Sequence, residues 1–382
     1  MVKNFVFVDA INLLKKRDSL WISLFQLRRW IMIRTAYVSR RHHFLVILLL
    51  LGVIFVLALA AFGSPDAQAQ DKGVIKLQTS CTHNAGDSHS DAINKFIELV
   101  KQKTNGQILI TNQYQALGVE QQAAQAAMTG SLDFAVMSGG NTSRFSDSML
   151  VTDLPFIFKK YENVFKLFRG PIGARLKAQF EKDLGVKYLF VVSHGTGRDI
   201  QTSKKQIKVP ADLKGVKMRT VSSHADITTF KAWGANPSPI DWGQTYTALQ
   251  QGLVDGMAVG ADIVLSGQWY EVVKYSLRID YQALFSNFFM NRKKFDSLSP
   301  AHQKAIVEAA QEAEEFGKRD GEMMLQDWIK ELTEKHKHVY YFPTPAEYNQ
   351  WASIREAVWK EVAEKMQGKL DMGLANEIYK AQ

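Results

Sequence analysis

The longest unbroken apolar run in the chain is FLVILLLLGVIFVLALAAF, residues 44–62, nineteen residues without a charge. Arg40, Arg41, His42 and His43 precede it; Gly63-Ser64-Pro65 and then Ala67-Gln68-Ala69 follow. A positive flank, an apolar core and a small-residue exit are the three parts of a secretory signal, so 1–69 reads as a leader cut after Ala69. Kept on the protein, the same run is long enough to span a bilayer, for which about 18 apolar residues suffice. The 43 residues before it are long for the first region of a signal, and a start at Met32 leaves twelve.

Beyond residue 70 the pattern alternates between strand and helix, which predicts an α/β fold. Gly73–Leu77 reads as a strand. Ser90–Lys103 reads as a helix with Ile93, Phe96, Ile97 and Val100 on one face, stopping at Asn105-Gly106. Strands are predicted at 107–111, 133–137, 187–192, 216–220 and 256–259, and helices at 120–128 and 245–251. Pro210–Gly215 is a turn, and Gly195-Thr196-Gly197 reads as a loop. The longest helix runs from Pro300 to about Lys335, with Ser299 as N-cap and Glu308, Glu312, Glu314 and Glu315 exposed. At 1.5 Å per residue it is roughly 54 Å long, enough to run across two domains. A last helix is expected over 345–366, carrying Tyr348, Trp351 and Trp359. No repeat or low-complexity linker divides the body, which favours two lobes joined by several crossings.

Charge changes this picture little. The chain of 382 residues carries a net +9. Residues 1–69 hold nine basic and three acidic residues, a net +6, leaving +3 for the remainder. The body therefore lacks the field of a nucleic-acid binder. One cysteine, Cys81, excludes a disulfide framework and reads as a buried, inert thiol.

A search for chemistry finds no catalytic set. No phosphate-binding loop, G-x-S-x-G turn or H-E-x-x-H motif is present. His336-x-His338 reads as solvated surface, and the paired glutamates of the long helix as a solvated face. No cofactor and no metal are expected. An exported two-lobed chain without a nucleophile and base reads as a binder rather than an enzyme.

Specific segments strengthen that reading. They are Gly106–Ile110 with Leu117-Gly118, Gly130–Phe134, Leu154-Pro155-Phe156-Ile157-Phe158, Asp212–Thr220, Trp233–Pro237 and Tyr246–Gly256. Taken in order over about 75–370, they resemble the DctP family, the periplasmic solute-binding subunits of TRAP transporters. The resemblance implies a periplasmic-binding-protein fold with a hinge cleft and a long helix spanning both lobes. Lobe I is then 71–195 plus about 288–325, and lobe II is 196–287 plus about 326–382. The implied partners are a small organic acid anion and the TRAP membrane permease.

Arg219 falls on the family's signature arginine, whose guanidinium fork suits a carboxylate through two parallel charge-assisted hydrogen bonds. Arg198 matches a second arginine directed at the same group. Trp242 falls where members present an aromatic wall, a core tryptophan being the alternative. Asn287 or Phe288, on the strand 286–290, and Ser138 are further lining residues. Thr82-His83-Asn84 is expected to face the opposite lobe. Two departures stand out: Gln244 replaces a common Glu, and Met257-Ala258-Val259-Gly260 replaces a polar Glu-Asn-Pro stretch. They point to a monocarboxylate with an apolar or aromatic body. The alternative function is a membrane-anchored sensor that keeps residues 44–62.

Overall fold

The computed structural model describes residues 73–81, 83, 86–114 and 119–382. The leader, the Met32 start, residues 44–62, Thr82, Asn84 and Leu117-Gly118 lie outside the described residues. Among the described residues no helix is long and apolar enough to cross a membrane.

Two mixed sheets carry the fold. The first contains β1 (Ile75–Cys81), β2 (Ile108–Tyr114), β3 (Phe134–Ser138), β4 (Val186–Gly197) and β10 (Ala283–Asn291), in the order β2-β1-β3-β10-β4. The strands β1, β2 and β3 are parallel, and β10 runs antiparallel between β3 and β4. The second contains β5 (Asp199–Thr202), β6 (Lys217–Thr220), β7 (Asn236–Pro239), β8 (Gly256–Val259), β9 (Tyr275–Leu277) and β11 (Val339–Tyr341), in the order β11-β9-β5-β8-β6-β7.

The crossings between sheets position everything that follows. The chain passes from β4 into β5 through the single residue Arg198, and returns from β9 to β10 through Arg278–Gln282. Arg198 N donates to Gln282 O at 2.8 Å, so the two crossings are bonded where they leave one sheet for the other. The Pro300–Glu334 helix is the third connection. Ile306, Ala309, Ala310 and Ala313 pack with the first sheet's phenylalanines, while Ile329 and Leu332 pack with Met257 and Val259 of the second. It meets β4 at a pair of glycines: a Cβ on Gly321 would fall 2.4 Å from the Gly195 Cα.

Local signals explain most elements. Asp87 caps the Ser88–Lys103 helix by accepting from Ser90 N, and Ser299 accepts from His302 N. Gly130, at φ +88°, ends the Glu120–Thr129 helix in the left-handed conformation.

Four expectations are corrected. Gly195-Thr196-Gly197 is strand rather than loop, because β10 pairs with β4 as far as Gly197. Glu314 is mostly buried: its carboxylate accepts from Val191 N at 2.9 Å and pairs with Arg169, covering an edge of β4 that would otherwise be open. His338 is buried, its Nε2 lying 2.6 Å from Ser276 Oγ. The last helix is broken into Pro345–Ala352 and Arg355–Lys365, with a further helix at Met372–Lys380. Trp351 packs into the second sheet's core with Trp233 and Tyr281, whereas Trp359 joins the Phe165 and Phe168 core of the first. The C-terminal helices thus divide their packing between the sheets.

Candidate functional site

Arg219 sits at the end of β6, 4 % exposed, its Nε donating to Ile240 O at 2.8 Å. Its guanidinium lies 5.5 Å from the ring centroid of Trp242, the first residue of the Trp242–Gln250 helix. Arg198, also 4 % exposed, donates from one terminal nitrogen to Ala258 O at 3.1 Å, and its Nε has no hydrogen-bond partner. Among the described residues, neither arginine has a carboxylate within ion-pair distance. Burial, and then the neighbouring charge of Arg198, bring the Arg219 pKa down to about 10. Burial also opposes the charge on Arg198, but Asp226, Tyr281, Asp153 and Glu120 outweigh it and raise its pKa.

Those acids are committed elsewhere. Asp226 accepts from Tyr281 Oη at 2.8 Å and from Val221 N at 3.1 Å. Asp153 accepts from Ser223 and Gln282, and burial pushes its pKa up to about 7. Glu120 accepts from Ser138 N, Ser138 Oγ and Asn141 Nδ2 at 2.7–2.8 Å. Two neighbouring buried guanidinium ions therefore have no carboxylate partner among the described residues. Such an arrangement is costly unless an anion completes it.

Near Trp242 stand three buried imidazoles. The ring centroids of His83, His89 and His194 are 4.2, 4.8 and 5.3 Å apart, and His83 is 5.6 Å from the Trp242 ring. His194 Nε2 lies 3.3 Å from Ser286 Oγ, and its Nδ1 is 3.5 Å from Asp262 without a hydrogen bond. The Asp262 carboxylate accepts from Ser88 Oγ at 2.7 Å, joining a helix of the first sheet to one that follows β8 in the second. Burial, followed by the neighbouring imidazoles, holds His89 well below its ordinary pKa. Cys81 Sγ lies 3.5 Å from His89 Nδ1, and burial raises the thiol to about 12. Cys81, His83 and His89 each bring a donor atom within 4.8 Å of the other two. The bare sequence spacing offers no such set.

The structure thus brings Arg219, Arg198, Trp242 and His83 together. Ser138 adjoins them through Glu120, to which its hydroxyl is already bonded. Asn287 and Phe288 are corrected. Both lie on β10, an inner strand covered on its two faces. Asn287 is held by Tyr188 Oη and Thr142 Oγ1, and the Phe288 ring stacks on Phe134 within the core. From that strand it is Ser286 that touches His194. Glu120, His89, His194 and Asp262 also stand around this group, and no local motif in the sequence connects them.

Fold and site together define a two-lobed solute-binding protein. The model of the DctP family, bacterial extracellular solute-binding protein family 7, matches residues 79–366, and the chain belongs to that family. It is similar to the 2,3-diketo-L-gulonate-binding periplasmic protein YiaO of Escherichia coli, 32% identical over 283 residues, 73% of this chain and 84% of that one. Among solved structures, a TRAP periplasmic solute-binding protein from Ralstonia eutropha H16 with bound (S)-2-acetolactate matches at TM-score 0.73 and 26% identity, covering 80% of this chain and 98% of that one. Another, from Sulfurospirillum deleyianum with bound succinate, matches at TM-score 0.74 and 22% identity with the same coverage. Members of this family bind solutes and are not enzymes.

Proposed function

We propose that the protein captures an organic acid anion in the periplasm and hands it to a TRAP-type membrane permease. The observation that carries this reading is the pair of buried guanidinium ions, Arg198 and Arg219, with no carboxylate partner among the described residues. A ligand carboxylate supplies the missing acceptor, and charge-assisted bonds to a guanidinium fork are among the stronger ones available. The names of relatives and neighbours, which include diketogulonate, acetolactate and succinate binders, support an organic acid anion as the ligand.

We take the ligand as a monocarboxylate whose body lies along Trp242, since the apolar Met257–Gly260 stretch offers no side-chain amide. The unpartnered His194 Nδ1 suits a keto or hydroxyl group carried on that body. Lobe closure is driven only by the ligand's preference for the closed form, and the Ser88–Asp262 bond is one element of that preference. A thermal-shift screen of purified protein against small carboxylic acids and their amides tests the reading. At 100-fold its dissociation constant a binder contributes about 2.7 kcal/mol, which moves the midpoint by several degrees. No shift across the panel, with no acid released on denaturing the protein, contradicts it.

A further inference from the structure

Cys81 closes β1, His83 follows two residues later, and His89 is the second residue of the Ser88–Lys103 helix, so one β-to-α turn delivers all three side chains. All three are buried, and their donor atoms lie within 4.8 Å of one another. In a tetrahedral zinc site, bonds of about 2.3 Å to sulfur and 2.1 Å to nitrogen place the two donors about 3.6 Å apart. Cys81 Sγ and His89 Nδ1 are 3.5 Å apart. His83 is 7 % exposed, and its Nδ1 has no hydrogen-bond partner. One thiolate and two imidazoles form a donor set suited to zinc and unsuited to calcium or magnesium.

We propose that Cys81, His83 and His89 bind one zinc-type divalent ion beside Trp242, and that this ion is a second anchor for the bound acid. The second clause rests on the carboxylate-binding function proposed above; the metal site does not. Binding displaces the Cys81 thiol proton to solvent and leaves the thiolate on the ion. Three protein ligands leave a fourth position, the arrangement of zinc sites that accept an exogenous donor. His194, with its ring 4.8 Å from that of His89, is the nearest further imidazole.

The test is a cobalt(II) titration of the full chain, purified without a histidine tag, followed by competition with zinc. The expected result is one equivalent of cobalt with a thiolate-to-metal charge-transfer band, reversed by zinc. The band should be absent in Cys81→Ser, and zinc should bind His89→Ala more than about 100-fold more weakly, a loss larger than that of an outer-shell partner. Should Cys81→Ser fail to fold, the wild-type spectrum still decides the matter. Absence of cobalt binding, or binding without the thiolate band, overturns the site and leaves the 3.5 Å contact as a hydrogen bond. Acid affinity is then measured on the same protein with zinc and with chelator. A tenfold or greater loss with chelator supports the ion as anchor, and an equal affinity removes that role. Acid binding that depends on Arg219 but not on metal separates failure of this inference from failure of the function.

Discussion

The Arg219 guanidinium lies over the Trp242 ring at 5.5 Å, so the residue best placed to grip a carboxylate is held by the residue best placed to wall its ligand. The Nε bond to Ile240 O fixes the base of the fork, and the indole fixes its face. Trp242→Ala removes both the wall and a cation–π contact worth about 0.5–2 kcal/mol when desolvated. Acid affinity measured by calorimetry should fall by at least that amount. Trp242→Phe should lose less, since a smaller ring keeps part of the face.

The hydrogen bond from Ser88 to Asp262 links the two sheets' helices at 2.7 Å. A bond to a charged group is worth about 1.5–3 kcal/mol. Ser88→Ala should therefore weaken acid binding about tenfold or more, mainly through faster release, while the melting temperature of ligand-free protein changes little. Stopped-flow release kinetics would show it; an unchanged off-rate argues that closure does not use this bond.

Much of the architecture was legible because it rests on local chemistry. Ser299-Pro300 marks the start of the longest helix, and Gly130 the end of an earlier one, since caps are read from neighbouring residues. The break at 353–354 was not legible. No proline or glycine stands there, and the helix divides because Trp351 and Trp359 are drawn into different cores. In the candidate site, Arg219, Arg198 and Trp242 are singled out through the family's motifs, and the structure places them near one another. Asn287 and Phe288 were misplaced because an inner strand is apolar on both faces, so its alternation does not say which face meets a cleft. His83 and His89 come from one β-to-α turn, and His194 reaches them only through the strand order β1-β3-β10-β4. His338 looked solvated because its neighbours are charged, yet its ring turns inward to Ser276.

Burial, and secondarily the charge of Lys274, lower His338 from 6.5 to about 4. Between those two values the unfolded chain binds more protons at this residue than the folded one. The contribution of neutral His338 to stability is therefore complete above pH 6.5 and lost as pH falls toward 4. His338→Gln, which cannot titrate, should lie below wild type at pH 7.5 and approach it by pH 4.5 in denaturant titrations. A gap that stays constant with pH contradicts a buried, neutral imidazole.

Gly321 and Gly195 let the long helix touch β4 backbone to backbone. A methyl on Gly321 would meet the Gly195 Cα at 2.4 Å, and the backbone can yield only by moving the helix. Overpacking of this kind costs about 1–3 kcal/mol, so Gly321→Ala should melt several degrees lower. Gly195→Ala should be worse, because Gly195 also holds φ at +72°.

The most direct measurement is calorimetry of one bound acid and its amide against wild type, Arg219→Lys and Arg219→Ala. Arg219→Ala should cost about 2–5 kcal/mol of acid binding, as expected when a partner of a buried, hydrogen-bonded charge is removed. Arg219→Lys should also weaken it, because a point charge does not reproduce the fork. The amide should bind wild type no better than the acid binds Arg219→Ala. An acid that binds Arg219→Ala as tightly as wild type, or an amide that matches its acid, would contradict the carboxylate clamp.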